Sequence, residues 1–212
     1  MRIASRAEQG EGAGLVVMGR KVLGYVGVDP SLRGTAIVAT RDKDTEVRRV
    51  KVAGEEGKAD RLSAFMDTFE EEIGHVIRWA TGRVDVALVE GYAFGAVGNA
   101  LTLQAEVGGI VRAVLARHWP VIEVPVGTWR ALTINRFGIV AGKGAKAREQ
   151  KYLAEVERWF GFRAESTHEA EARLICAAAE SALNETAKLT EGGKKLRDAL
   201  LAVWHSTING RR

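Results

Sequence analysis

Apolar positions fall first into short runs and then into longer periodic stretches, and the change from one to the other predicts the order of elements. Residues 22–29 (VLGYVGVD) form a short apolar run, rich in β-branched residues, that stops at the turn signal Pro30-Ser31. Residues 35–40 (TAIVAT) and 46–53 (EVRRVKVA) predict two further strands, the second with the alternation of a half-exposed strand. Short links between the three point to antiparallel hairpins. Over residues 59–80 the period becomes helical: Leu62, Phe65, Met66, Phe69, Ile73, Val76, Ile77 and Trp79 recur at spacings of three and four, opposite an acidic face. Residues 84–89 (VDVALV) then read as a buried strand ended by Glu90-Gly91. A long helix is predicted over 97–118, with Leu101, Leu103, Val107, Ile110, Val111 and Val114 on its apolar side. A fifth strand follows at 121–124, and helices at 127–134, 146–159, 167–187 and 194–204. No internal repeat is present.

Three hairpin-linked strands followed by helix, strand, helix and strand predict one mixed α/β sheet. Strand one is a near-continuous apolar run, which places it centrally, with strand four parallel beside it. The C-terminal ends of those two strands then share one rim of the sheet, the usual place for a ligand in open α/β folds. Asp29 ends the first and Glu90 the fourth. Strands lie ~4.8 Å apart, so the two carboxylates could share a hard cation. Either acid alone reads as a strand terminator; both ending apolar strands before a turn residue favours a functional reading.

A second cluster is Thr167-His168-Glu169-Ala170-Glu171-Ala172. With Thr167 as N-cap, His168 and Glu171 at i, i+3 share a helix face bordering the apolar Ala172, Ile175, Cys176 and Ala179, while Glu169 points roughly 100° away. A favourable interaction with the helix dipole accounts for Glu169. It accounts less well for the other two.

Composition limits the classes available. The chain has 212 residues, of which 46% are hydrophobic and 27% charged, the balance of a globular protein. Its formal net charge of +4 permits a polyanionic partner without demanding one. Cys176 is the only cysteine, so neither an intramolecular disulfide nor a cysteine-rich zinc site can form, which fits a cytoplasmic location. No apolar run approaches the ~18 residues of a membrane span. Residues 1–20 are expected to be a disordered extension, 21–187 the functional domain, and 188–212 a C-terminal helix with a basic tail.

Basic residues gather around the glycines at 142 and 144: Lys143, Lys146, Arg148 and Lys151. Such a loop can bring backbone amides to a phosphate, and equally reads as a solvated helix start. It is no nucleotide-binding loop, because Lys143 is followed by glycine and the upstream spacing fails. Tyr92 and Phe94 lie just past Glu90, where either ring could cover the sheet edge or stack on a nucleic-acid base; packing suits Tyr92 and stacking suits Phe94. Trp79, Trp159 and Trp204 read as packing residues, whereas Trp129 is ambiguous.

Several of these segments resemble, in order, the motifs of the RuvC family of Holliday-junction resolvases. Gly27-Val28-Asp29-Pro30-Ser31 with Gly34-Thr35 is similar to the first motif, and Val89-Glu90-Gly91-Tyr92 to the second. Leu103-Gln104-Ala105 with Gly108-Gly109 resembles the central helix, Gly142-Lys143-Gly144-Ala145-Lys146 the basic loop, and His168-Glu169-Ala170-Glu171-Ala172 the last acidic helix. The last acid is usually Asp in that family, and the position of His168 is Asp in many members and His in others. The resemblance covers about Lys21 to Ser181. It implies a ribonuclease-H-like mixed five-stranded sheet, and an endonuclease that hydrolyses phosphodiesters with two Mg²⁺ ions, for which Mn²⁺ would substitute. It further implies Asp29, Glu90, His168 and Glu171 as metal-binding catalytic residues, with His168 alternatively an acid or base. Arg130 and Lys146 become the best candidates for contacting four-way-junction DNA, and a homodimer would supply two matched nicks. Rival readings are another ribonuclease-H-like nuclease, an actin-like phosphate-binding fold (which needs a longer chain), and a junction-binding protein that does not cut.

Overall fold

A computed structural model of the chain describes residues 24–31, 34–41, 44–52, 58–80, 84–91, 99–140, 146–184 and 189–210. Five strands, β1 (Tyr25–Asp29), β2 (Thr35–Arg41), β3 (Asp44–Val50), β4 (Val86–Glu90) and β5 (Val121–Val124), form one sheet in the order β3-β2-β1-β4-β5. β1 pairs antiparallel with β2, and β2 with β3, while β1–β4 and β4–β5 are parallel. The expected topology is therefore present, with β1 at its centre and all five of its residues buried. β3 is an edge strand whose charged Glu46, Arg48 and Arg49 discourage pairing with another sheet.

Side chains alternate across β1 and β4, and the two faces collect different partners. Val26 and Val28, with Ala87 and Val89, join one core that also holds Phe65, Phe69 and Ile73 of α1 (Lys58–Ala80) and Val107 and Val111 of α2 (Asn99–Leu115). Tyr25, Val86 and Leu88 face the other core, built with α3 (Val126–Phe137), α4 (Lys146–Phe160), α5 (Thr167–Ala182) and α6 (Glu191–Gly210). Fully burying one such Phe, Ile or Leu side chain contributes about 1.5–3 kcal/mol.

α5 lies closest to the sheet, against β1, β2 and β4. Its small residues allow this, and so does Gly27. A Cβ at that position would stand 2.2 Å from the Ala172 carbonyl oxygen and 2.7 Å from Cys176 Sγ. Only a residue without a side chain lets helix and strand meet there. α3 and α4 stop at Gly138 and Gly161, whose φ of 69° and 60° suit glycine and whose N–H groups close the last turns onto Ile134 O and Glu157 O.

Element boundaries depart from the expected ones where tertiary contacts intervene. α5 ends at Ala182 rather than 187, and α6 begins at Glu191 rather than 194. Gly192 and Gly193 lie in the first turn of α6, where their bare backbone packs on Thr128 and Leu132. α3 continues to Phe137, past the expected stop at 134. Trp129 proves a core residue at 1% exposure, whereas Trp159 is 46% exposed and meets Phe137 edge-on. Among the described residues no helix is long and apolar enough to cross a membrane.

Candidate metal centre

The register of β1 and β4 sets the first two acids side by side. Val28 pairs with Val89, so Asp29 and Glu90 are the next residues along two parallel strands. By the period of two, each falls on the face that carries Tyr25, Val86 and Leu88, which is the face α5 covers. Past Asp29 the chain turns at once. Ser31 N donates to Thr35 Oγ1 and Thr35 Oγ1 to Ser31 O, both at 2.7 Å, and Gly34 N donates to Ser31 O at 3.3 Å. That turn holds the end of β1 at the rim, where Asp29, Pro30, Glu90, Gly91 and Gln104 line a small cleft.

α5 brings the remaining donors to the same rim. Its N-cap is Ser166, one residue before the expected Thr167, and the Ser166 hydroxyl accepts from Glu169 N. Glu169 returns the contact: its carboxylate accepts from Ser166 Oγ at 3.1 Å and from Glu165 N at 2.9 Å, a form of capping box. Glu169 is therefore no solvated dipole partner. It is 1% exposed and bound by Arg49 of β3, through Nε and through Nη2 at 3.2 Å. Burial opposes its charge, but the Arg49 guanidinium, the Glu165 N–H and the Ser166 hydroxyl together hold its carboxyl below the usual range. This anchorage fixes the first turn of α5 against the sheet.

With that turn fixed, His168 and Glu171 project to Asp29 as the i, i+3 spacing requires. His168 Nδ1 lies 2.6 Å from Asp29 Oδ2. One ligand atom from each of Asp29, His168 and Glu171 can be chosen so that all lie within 4.8 Å of one another. Asp29 and Glu171 are buried, at 6% and 1% exposure, while the His168 side chain is 40% exposed. Two carboxylate charges this close repel by about 3–4 kcal/mol at an effective dielectric near 20. Arg130 of α3 offsets part of this, its Nη2 3.4 Å from Glu171 Oε1 while its guanidinium lies 5.1 Å from the Trp129 ring. Two carboxylates and an imidazole at such separations suit a divalent cation: octahedral ligands at ~2.1 Å from a metal stand ~3 Å apart when adjacent.

Of the other residues singled out from sequence, Lys146 and Lys151 are exposed on α4. Tyr92, Phe94, Lys143 and the side chain of Arg148 lie outside the described residues. Sequence reasoning missed Tyr152 of α4, which is 2% exposed and whose surroundings include the charges of Glu171, Arg130, Asp29 and Glu90. Its one sequence signal is a phenol in a helix stripe otherwise completed by Leu153 and Val156. Gln104, which lines the cleft from α2, stands out in sequence only as part of a motif.

A five-stranded sheet ordered 3-2-1-4-5, with acids at the rim of its central strands and a buried acidic helix across them, defines a ribonuclease-H-like fold. The particular form is RuvC-like. T. thermophilus RuvC in complex with Holliday junction substrate superposes with a TM-score of 0.57 at 13% identity, over 76% of this chain and 94% of that one. A second Thermus thermophilus RuvC structure gives 0.50 at 18% identity, over 75% and 94%. At such identities the likeness is one of fold. No family model and no curated protein sequence matches the chain.

Proposed function

We propose that the protein is a metal-dependent endonuclease that resolves four-way DNA junctions. The observation that carries this reading is the convergence of Asp29, His168 and Glu171 within 4.8 Å at the rim of a RuvC-like sheet. Asp29, His168 and Glu171 would hold one Mg²⁺ or Mn²⁺ ion, and Asp29 with Glu90 a second. Two such ions supply an activated water and neutralise charge at the phosphorus and on the departing oxygen. The carboxylates also make the rim repel DNA until cations are bound. Exposed Lys146 and Lys151, together with Arg130, Lys143, Arg148 and Phe94, are the proposed DNA-contacting set, with residues 21–187 as the nuclease unit. A homodimer would place matched nicks across a nearly two-fold junction. A single reduced cysteine and the absence of a membrane-crossing helix among the described residues support a cytoplasmic setting.

The test is cleavage of a mobile four-way junction with Mg²⁺ or Mn²⁺, beside an RNA–DNA hybrid. The expected result is paired nicking of the junction, and Asp29→Asn that still binds the junction but does not cut it. Preferential cutting of the hybrid assigns the site to another ribonuclease-H-like nuclease. Junction binding by a wild-type protein that never cuts, with either metal present, leaves a binding protein in its place.

A further inference from the structure

Tyr152 sits where a hydroxyl is hard to explain by packing alone. The residue is 2% exposed, its ring is part of the core with Trp129 and Val156, and its hydroxyl oxygen is buried with no hydrogen-bond partner. A phenylalanine would fill the same space without the cost of about 1–3 kcal/mol that a buried, unsatisfied hydroxyl carries. The ring shares its core with Ala170 and Ala172, which flank Glu171 on α5, and the charges that act on the phenol are those of Glu171, Arg130, Asp29 and Glu90. Burial keeps it protonated far above ordinary pH, which makes it a standing donor. Glu171 in turn is held by Arg130 through a long 3.4 Å contact. Carboxylates that ligate metals are commonly oriented by a hydrogen bond to the oxygen not engaged with the ion.

We propose that Tyr152 is a positioning residue of the metal centre, whose hydroxyl donates to the Glu171 carboxylate when that carboxylate turns to ligate a cation. The inference rests on the metal-binding reading of Asp29, His168 and Glu171. In the structure the donor has no acceptor; with a cation present it would fix the rotamer of Glu171 and hold the ligand set closed.

The experiment is a calorimetric titration of the protein with Mn²⁺ alone, wild type against Tyr152→Phe, alongside thermal unfolding without metal. Removing the oxygen breaks no hydrogen bond that the structure shows, so the Tm without metal should stay the same or rise. Mn²⁺ affinity should fall about tenfold or more, the usual effect of losing such a partner. Tyr152→Met, which removes the ring as well, should show at least the same loss of affinity in whatever fraction folds. Equal Mn²⁺ affinity in wild type and Tyr152→Phe overturns the role of Tyr152 while leaving the metal centre intact. A marked fall in the metal-free Tm of Tyr152→Phe, with affinity unchanged, overturns it in favour of a purely structural hydroxyl. A wild-type protein that takes up no Mn²⁺ removes both the metal reading and this inference.

Discussion

Gly27→Ala is the sharpest test of how the fold builds the site. The new methyl carbon would stand 2.2 Å from the Ala172 carbonyl oxygen, roughly 1 Å short of a tolerable carbon–oxygen contact of about 3.3 Å. Neither partner can rotate away, since one is helix backbone and the other is strand backbone at the centre of the sheet. α5 must therefore move out by about that 1 Å, one residue from Glu171, the proposed ligand. Overpacking of this kind costs about 2 kcal/mol, a fall in Tm of roughly 4–8 °C for a chain of this size. The same shift separates Glu171 and His168 from Asp29, and a 1 Å misplacement of reacting groups costs about 100-fold in rate. Thermal unfolding measures the first effect, and Mn²⁺ titration with junction cleavage the second. Gly109→Ala is the control, because a Cβ there meets nothing within 4 Å and the helix should gain about 0.5–1 kcal/mol. Gly27→Ala with wild-type Tm and Mn²⁺ affinity would refute the argument that α5 is seated directly on β1.

Two further outcomes follow from buried groups. Glu169→Gln should destabilise the protein by about 2 kcal/mol at pH 7, the scale of hydrogen bonds to a charged group. Because the Glu169 carboxyl is held below its unfolded value of about 4.3, its contribution is present above that pH and is lost as the pH falls through the folded value. Urea denaturation at pH 7 and pH 3 should thus show a gap between wild type and variant that closes in acid; a gap independent of pH argues against an ionised pair with Arg49. The Cys176 thiol is pushed up to about 12, chiefly by its burial between α5 and the sheet, and it donates to Val38 O at 3.6 Å. An aromatic disulfide reagent at pH 8 should leave it unmodified until the protein unfolds, and fast reaction with the native state would contradict the packing of α5 on the sheet.

The strands, the helices, their order and the central place of β1 were legible from sequence, because apolar period and turn signals act within a few residues of one another. The same local logic marked Asp29 and Glu90 as ends of adjacent apolar strands, and His168 with Glu171 as one helix face. Tertiary structure alone decided that His168 reaches Asp29 across 139 residues of chain. It likewise decided that Glu169 turns inward to Arg49, 120 residues away, when a first-turn acid is equally at home in water. Tyr152 entered the site, and two glycines opened α6 rather than delaying it, for the same reason. Each depends on which surfaces close over which, and a period read along one segment carries no information about the segment that will cover it.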